Sequence, residues 1–189
     1  MASIFNYDTM ITRNIGFVSP EEQAILRQTR VFVPDVGGMG GALVACLARL
    51  GVEHFIIVDM DTFEVSNHNR QIFATLSAVG EEKAAVTAKA LLNINPNLKI
   101  VVKNENWVHE LDDILPNVDI VVNGCDDIKS TILLMRRCQY FQKSAIDPFA
   151  STLPNVYVIL PEDKRPEEVF GYPTVGLPKL KAFFSIRGP

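Results

Sequence analysis

A polar stretch, FEVSNHNRQ at residues 63–71, follows HFIIVDMD, a run typical of a buried strand that ends in acid. It brings Asn67, Asn69, Arg70 and Gln71 into a short segment. The planar fork of an arginine can bond two oxygens of one phosphate, so phosphate binding is one use for such a cluster. Asparagines are also common turn residues, because they tolerate left-handed backbone conformations. Taken alone, the stretch is more simply explained as a turn.

A glycine-rich turn upstream can also be explained in two ways, as a phosphate-binding turn or as a place of close packing. The run RVFVPD predicts a strand, VGGMGG a flexible turn and GALVACLARLG a helix, and Asp59 ends the following strand. This layout is typical of a nucleotide-binding fold, in which glycines admit phosphates to the backbone and the acid bonds the ribose. In the G-x-G-x-x-G pattern Gly37 and Gly40 fill the second and third positions, but Asp35, preceded by Pro34, fills the first. A carboxylate at that position weakens phosphate binding unless a cation lies between them. Glycine clusters at such turns also allow close packing, so the pattern by itself does not establish nucleotide binding.

Apolar runs that alternate with helical segments must position these residues. Ser19 and Glu22 predict a capping box for a helix that ends near Gln28. Further strands are predicted at 30–35, 54–59, 98–104, 117–127 and in KSAIDPF and NVYVILP, with helices at 41–51, 81–92 and 128–142. The order predicts an α/β fold with a doubly wound, mostly parallel sheet and helices on both faces.

The helix predicted at 128–142 has an apolar side and a basic pair. We expect its core contribution from Ile132, Leu133, Met135, Tyr140 and Phe141. Arg136 and Arg137 are expected on its solvated face.

Composition excludes several classes of protein. The 189 residues are 48% hydrophobic and 21% charged with a formal net charge of −4, which is ordinary for one globular domain. No basic block indicates nucleic-acid binding, and no apolar run indicates a signal peptide or a membrane span, so we expect a cytoplasmic protein. Cys46, Cys125 and Cys138 lie far apart without a CxxC pair, which predicts reduced core thiols and no zinc site.

Three further stretches follow the glycine turn in order: VDMDTFEVSNHNRQIF (58–73), VGEEKAAV (79–86) and VVNGCDD (121–127). Together they resemble the ThiF/MoeB/HesA family, the E1-like adenylyltransferases that activate the C-terminal carboxylate of ubiquitin-like or sulfur-carrier proteins. The upstream TRNIGFVSPEEQAIL resembles the lead-in of that family, so the resemblance covers about residues 9–160. It implies a Rossmann-like nucleotide-binding domain at 1–160, followed at 161–189 by a loop-rich C-terminal tail or a truncated continuation.

The resemblance also implies roles for individual residues. A phosphate turn would be formed by Gly37, Gly38 and Gly40, and Asp59 would hold the ribose. The residues that contact the ATP phosphates and shape the pocket would be Asn67, Arg70 and Gln71. Lys83 would reach the α- and β-phosphates. Asp126 would be the carboxylate associated with Mg²⁺. Arg13 would reach into the partner's site of a symmetric homodimer.

The chemistry that the resemblance implies needs charge more than it needs a nucleophile. When a carboxylate attacks the α-phosphate of ATP, negative charge grows on phosphate oxygens, and fixed cations with Mg²⁺ lower the barrier. The implied cofactors are ATP and Mg²⁺. The implied partner is a small ubiquitin-like or sulfur-carrier protein that ends in Gly-Gly, with no role for nucleic acid or a membrane.

Plainer readings stay open at several positions. Lys83 near a helix start is ordinarily a solvated side chain, and Asp126 or Asp127 is suited to cap the next helix. Asp35 and the short chain also leave a degenerate, non-catalytic E1-like scaffold subunit as an alternative. An NAD(P)-binding oxidoreductase would explain the turn and Asp59, but it leaves the polar cluster at 67–71 without a use.

Overall fold

Six strands form one sheet in the computed structural model, which describes residues 5–14, 16–103, 107–148 and 155–176. The strands are β1 (Arg30–Pro34), β2 (His54–Val58), β3 (Lys99–Lys103), β4 (Ile120–Val122), β5 (Ser144–Asp147) and β6 (Tyr157–Ile159). Their order is β3-β2-β1-β4-β5-β6, and only the pair β5 and β6 is antiparallel. The carboxyl ends of β1 and β4 flank the point where the strand order reverses, which is where open α/β sheets bind ligands.

The helices are α1 (Tyr7–Met10), α2 (Pro20–Gln28), α3 (Gly38–Leu50), α4 (Lys83–Leu92), α5 (Leu111–Ile114), α6 (Ile128–Tyr140) and α7 (Pro166–Val169). Single 3₁₀ turns occur at Thr12–Asn14, Val65–Asn67, Leu76–Ala78, Trp107–His109 and Leu115–Asn117. None of the helices in the described ranges is both long enough and apolar enough to cross a bilayer.

Local signals set the ends of the main helices. Ser19 and Glu22 form the predicted capping box at the start of α2. Gly51 ends α3 in the left-handed conformation that a glycine adopts without strain. Asp127 caps α6 by accepting the backbone N–H of Ser130 at 2.8 Å.

Two apolar clusters cover the two faces of the sheet. On one face Val33 of β1 packs with residues of α3 and α4, including Val44 and Leu91. On the other face Phe32 packs with α6, including Leu134, and with Trp107. Neighbouring residues of β1 therefore point to opposite faces, as the strand pleat requires. The predicted α/β fold, doubly wound and mostly parallel, is confirmed.

Several local expectations are wrong. Tyr140 is 71% exposed instead of buried, although Cys138 and Phe141 on either side of it pack in the core, so its side chain lies on the outer side of α6. Cys46 lies on the exposed side of α3, so it is not a core thiol, whereas Cys125 and Cys138 are buried. Arg136 is not on a solvated face, because it forms an ion pair with the buried Glu167 at 2.8 Å. That pair joins α6 to residues that follow the predicted domain boundary at 160.

Candidate functional site

The amino end of α3 opens into a cavity of about 460 Å³ at the carboxyl ends of β1 and β4. Gly37, Gly38 and Met39 form one wall, and the helix begins without a side-chain cap. The N–H groups of a first helical turn have no partner within the helix, and the helix dipole is positive there. This wall is therefore suited to an anion such as phosphate.

Close packing explains a second pair of glycines. A Cβ atom on Gly40 would lie 1.9 Å from the carbonyl oxygen of Asp35, and one on Gly124 would lie 2.0 Å from the same oxygen. Gly124 also donates its N–H to the carbonyl of Pro34 at 3.1 Å. Glycine at 40 and 124 is thus required where the end of β1, the start of α3 and the end of β4 meet. Gly40 does not line the cavity, although Gly37 and Gly38 do.

Asp35 occupies the turn position where a glycine was expected. Its φ of 65° is left-handed, a conformation that aspartate adopts more readily than most residues. Its Oδ1 accepts the N–H of Gly37 at 2.8 Å, so the carboxylate lies on the wall that would bind phosphate. Burial and the negative charge of Asp59 raise the pKa of Asp35 to about 6.

The loop after β2 forms the facing wall through residues of the polar stretch 63–71. Asn67 is buried and accepts the N–H of Glu64 at 3.0 Å, so it does stabilise a turn. Arg70 is exposed at the cavity and donates from Nη1 to the carbonyl of Ser66 at 3.0 Å. Gln71 is buried, and no described residue donates a hydrogen bond to its Oε1. An unpaired buried amide oxygen is costly, so it favours a ligand that supplies a donor.

Lys83 lies at the start of α4, with its side chain buried against the cavity. It is 6% exposed, and its Nζ donates to Oδ2 of Asp61 at 2.8 Å. Burial acts to lower the pKa of Lys83, but the hydrogen bond to Asp61 and the charges of Asp59 and Asp61 outweigh it and raise the pKa. The solvated reading of Lys83 is therefore wrong. Its partner Asp61 is missed by the sequence analysis, although it is the second acid of VDMD.

Asp126 and Asp127 have different roles, one as a carboxylate at the cavity and the other as a helix cap. Asp127 caps α6, while Asp126 is exposed at the cavity, and within the described residues no group hydrogen-bonds to its carboxylate. The other carboxylates at this cavity are Asp35, Asp61 and Glu64. No cluster of three or more metal-binding side chains occurs in the described residues. Mg²⁺ needs only one or two protein carboxylates when phosphate oxygens and water complete its shell, so Asp126 fits that ion.

Asp59 supports the glycine turn and does not line the cavity. One carboxylate oxygen accepts the N–H of Val36 at 3.1 Å, and the other accepts the N–H of Asp61 at 2.9 Å. Burial raises the pKa of Asp59. A bond from Asp59 to a ribose stays a prediction.

Arg13 lies near the opposite end of α3. It is exposed in the 3₁₀ turn Thr12–Asn14, and Asn14 donates to the carbonyl of Leu50 at 3.0 Å. The rise of an α-helix, about 1.5 Å per residue, puts Leu50 roughly 18 Å from Gly38. Arg13 is thus remote from the cavity of its own chain, and its action across a dimer stays a prediction.

Comparison with known proteins identifies the family of this chain. The sequence profile described as the ThiF family matches residues 11–166. The chain therefore belongs to the ThiF family, as the resemblance indicated.

Two curated relatives illustrate the range of that family. The tRNA threonylcarbamoyladenosine dehydratase of Haemophilus influenzae is 29% identical over 141 residues, which is 74% of this chain and 54% of the relative. The sulfur carrier protein adenylyltransferase of Thermus thermophilus is 34% identical over 122 residues, 62% of this chain and 44% of the relative. The chain thus spans about half the length of these two relatives.

A solved structure has the same fold. The structure of Escherichia coli tRNA N6-threonylcarbamoyladenosine dehydratase in complex with ATP matches with a TM-score of 0.69 and 23% identity. The match covers 74% of this chain and 58% of that one.

Proposed function

We propose that this chain carries an E1-like adenylyltransferase site that uses Mg-ATP to adenylate the C-terminal carboxylate of a ubiquitin-like or sulfur-carrier protein. The observation that carries the proposal is the common location of Arg70, Lys83 and Asp126 around one cavity at the amino end of α3. The family membership and the names of the adenylyltransferase relatives support the same chemistry.

In this proposal the triphosphate lies along the first turn of α3. A carboxylate oxygen of the substrate attacks the α-phosphorus and forms a new P–O bond. The bond from that phosphorus to the bridging oxygen breaks, and its electron pair leaves with pyrophosphate. The N–H groups of Gly38 and Met39 together with Arg70 and Lys83 stabilise the charge that grows on the phosphate oxygens.

Mg²⁺, when bound, would neutralise phosphate charge, with Asp126 as its protein ligand. Arg70 would bond two phosphate oxygens through its planar fork, whereas Lys83, which donates to Asp61, would act as a point charge. The protein supplies position and charge, and it needs no nucleophile of its own.

The proposed partner is a protein, which the names of some relatives and the net charge of the chain both favour. Relatives are named sulfur carrier protein adenylyltransferase and SAMP-activating enzyme E1, and others are named for a tRNA nucleoside. The chain has a formal net charge of −4, which disfavours a polyanion such as tRNA. The same proposal includes a homodimer in which Arg13 acts on the partner's site.

A non-catalytic scaffold is the second candidate, and Asp35 is the observation that favours it. Its carboxylate already accepts the N–H of Gly37, so a phosphate would have to displace it or approach it with a cation between them. A scaffold of this kind would keep the fold and fail to bind Mg-ATP.

Exchange of labelled pyrophosphate into ATP tests the proposal when purified carrier proteins that end in Gly-Gly are added. We expect exchange with the wild-type chain and a loss of about 10²- to 10³-fold for Lys83→Gln or Asp126→Asn. Lys89→Gln, on the exposed side of α4, and Asp113→Asn, exposed on α5, are the matched controls and should retain exchange. Absence of both exchange and ATP binding in the wild-type chain would favour the scaffold.

A further inference from the structure

The carboxylate of Asp35 is fixed on the wall along which the proposed triphosphate would lie. The backbone of Asp35 is held by packing, because a Cβ atom added to Gly40 or Gly124 would lie 1.9 Å or 2.0 Å from its carbonyl oxygen. Its Oδ1 accepts the N–H of Gly37 at 2.8 Å. The packed backbone and this bond keep the carboxyl group at the glycine turn, so a phosphate arriving there would meet a negative charge.

Among the described residues, no cationic side chain pairs with this carboxylate, and none donates a hydrogen bond to Oδ2 of Asp35. The two cationic side chains that line the cavity have other partners. Nζ of Lys83 donates to Asp61 at 2.8 Å, and Nη1 of Arg70 donates to the carbonyl of Ser66 at 3.0 Å. The second oxygen of Asp35 therefore remains available to an external cation.

A buried amide oxygen lies on the same side of the cavity. Gln71 lines the cavity and is 7% exposed, and no described residue donates to its Oε1. Its amide group lies close to the carboxylate of Asp35, because a Cβ atom built on Gly37 would lie 3.4 Å from Nε2 of Gln71 and 3.0 Å from Oδ1 of Asp35. Carboxylate and amide oxygens are ligands that suit Mg²⁺ and Mn²⁺, and a bound ion satisfies a buried oxygen as a donor does.

Resting on the proposed binding of ATP, we propose that Asp35 and Gln71 hold a second Mg²⁺ between the glycine turn and the triphosphate, in addition to the Mg²⁺ at Asp126. The chain supplies only one oxygen from Asp35 and one from Gln71, so phosphate oxygens and water complete the octahedral shell. The second ion therefore binds together with the nucleotide and not to the chain alone. This agrees with the finding that the described ranges contain no cluster of three or more metal-binding side chains.

A second cation removes the conflict between Asp35 and the phosphates. Burial and the negative charges of Asp59 and Asp126 raise the pKa of Asp35 to about 6. An added positive charge stabilises the ionised carboxylate and at the same time attracts the triphosphate. Asp35 is then a metal-binding residue of a nucleotide site, and its presence no longer favours a non-catalytic scaffold.

Counting bound Mn²⁺ tests the proposal, because electron paramagnetic resonance distinguishes the free ion from the bound one. The full chain is kept in excess over a non-hydrolysable ATP analogue, and Mn²⁺ is titrated with and without the analogue. Binding of the analogue itself is measured separately by calorimetry. The variants are Asp35→Asn, which preserves the turn, and Gln71→Leu, with Asp113→Asn, exposed on α5, as the control.

We expect two Mn²⁺ per bound nucleotide for the wild-type chain and for Asp113→Asn, and one for Asp35→Asn. Gln71→Leu should weaken the second ion by at least about 10-fold, since even the loss of an outer-shell partner costs that much. Any gain in ATP affinity for Asp35→Asn should be largest when free Mg²⁺ is low, because the second ion offsets the charge of Asp35. One Mn²⁺ per nucleotide in the wild-type chain, or two in Asp35→Asn, would overturn the inference.

The count also separates this inference from the proposed function. Nucleotide bound with one Mn²⁺, together with pyrophosphate exchange, supports adenylation and contradicts the second ion. Two ions that depend on Asp35, without exchange, support the second ion and contradict adenylation. A wild-type chain that binds no nucleotide at any Mn²⁺ concentration overturns both.

Discussion

Asp35 offers a sharp test of the electrostatics around the glycine turn, through the substitution Asp35→Asn. Asparagine has the same shape, tolerates the same left-handed backbone, and can still accept the N–H of Gly37 through its amide oxygen. The change therefore removes charge while keeping the turn.

The pKa of Asp35 gives the size and sign of the effect on stability. A rise from 3.8 to about 6 means that the folded chain disfavours the ionised carboxylate. At about 1.36 kcal/mol per pH unit, the cost to the folded state reaches roughly 3 kcal/mol above pH 6. Below about pH 3.8 the carboxyl is protonated in both the folded and unfolded chains, and the cost disappears. Between these values the cost grows as pH rises.

Urea unfolding of wild type and Asp35→Asn at a series of pH values measures this difference directly. We expect the variant to be more stable by up to about 3 kcal/mol near pH 7.5, with the difference shrinking to about 0.5 kcal/mol near pH 4. Taking the difference between the two proteins cancels the titration of groups that do not interact with Asp35. A difference that does not change with pH, or a less stable variant at neutral pH, would refute the assignment of a buried, charge-crowded carboxylate.

Other regions of the chain give further expectations. Asp35→Asn should also bind ATP more tightly than wild type near neutral pH, because a negative charge next to the phosphates is removed. Calorimetry measures the affinity, and equal affinity of the two proteins would mean that Asp35 does not impede binding. Glu167→Gln should destabilise the chain by about 3–5 kcal/mol in urea unfolding, since it removes the buried negative charge with which Arg136 is paired. Glu21→Gln at the exposed start of α2 is the control, and equal stability of the two variants would contradict the role of the pair. Under native conditions a thiol reagent should modify Cys46 quickly and leave Cys125 and Cys138 intact, because burial raises the pKa of the latter two thiols. Rapid modification of all three cysteines would argue against the described packing.

The sequence predicted the order of strands and helices well, because each element carries its own local signal. Buried parallel strands such as β1 and β2 are continuous apolar runs, and caps such as Ser19, Gly51 and Asp127 are chemically distinctive. What failed depends on distant contacts. Arg136 has the composition of a surface residue, and only the return of α7 supplies Glu167 as its partner.

The same difference between local signals and distant contacts applies to the candidate site. The motifs pointed to Arg70, Lys83 and Asp126, and all three line one cavity. The sequence did not reveal that Asp61 pairs with Lys83, that Gly124 packs on the carbonyl of Asp35, or that Asp147 and α7 build a neighbouring cavity. These features arise where separate strands end side by side, and spacing along one chain does not encode such distances.

The most direct test of the central claim is a crystal structure of the chain with Mg²⁺ and a non-hydrolysable ATP analogue. The account predicts a triphosphate at the amino end of α3, bonded by Arg70 and Lys83, with Mg²⁺ about 2.1 Å from an oxygen of Asp126. A nucleotide bound elsewhere, or phosphates that touch none of these three side chains, would contradict it.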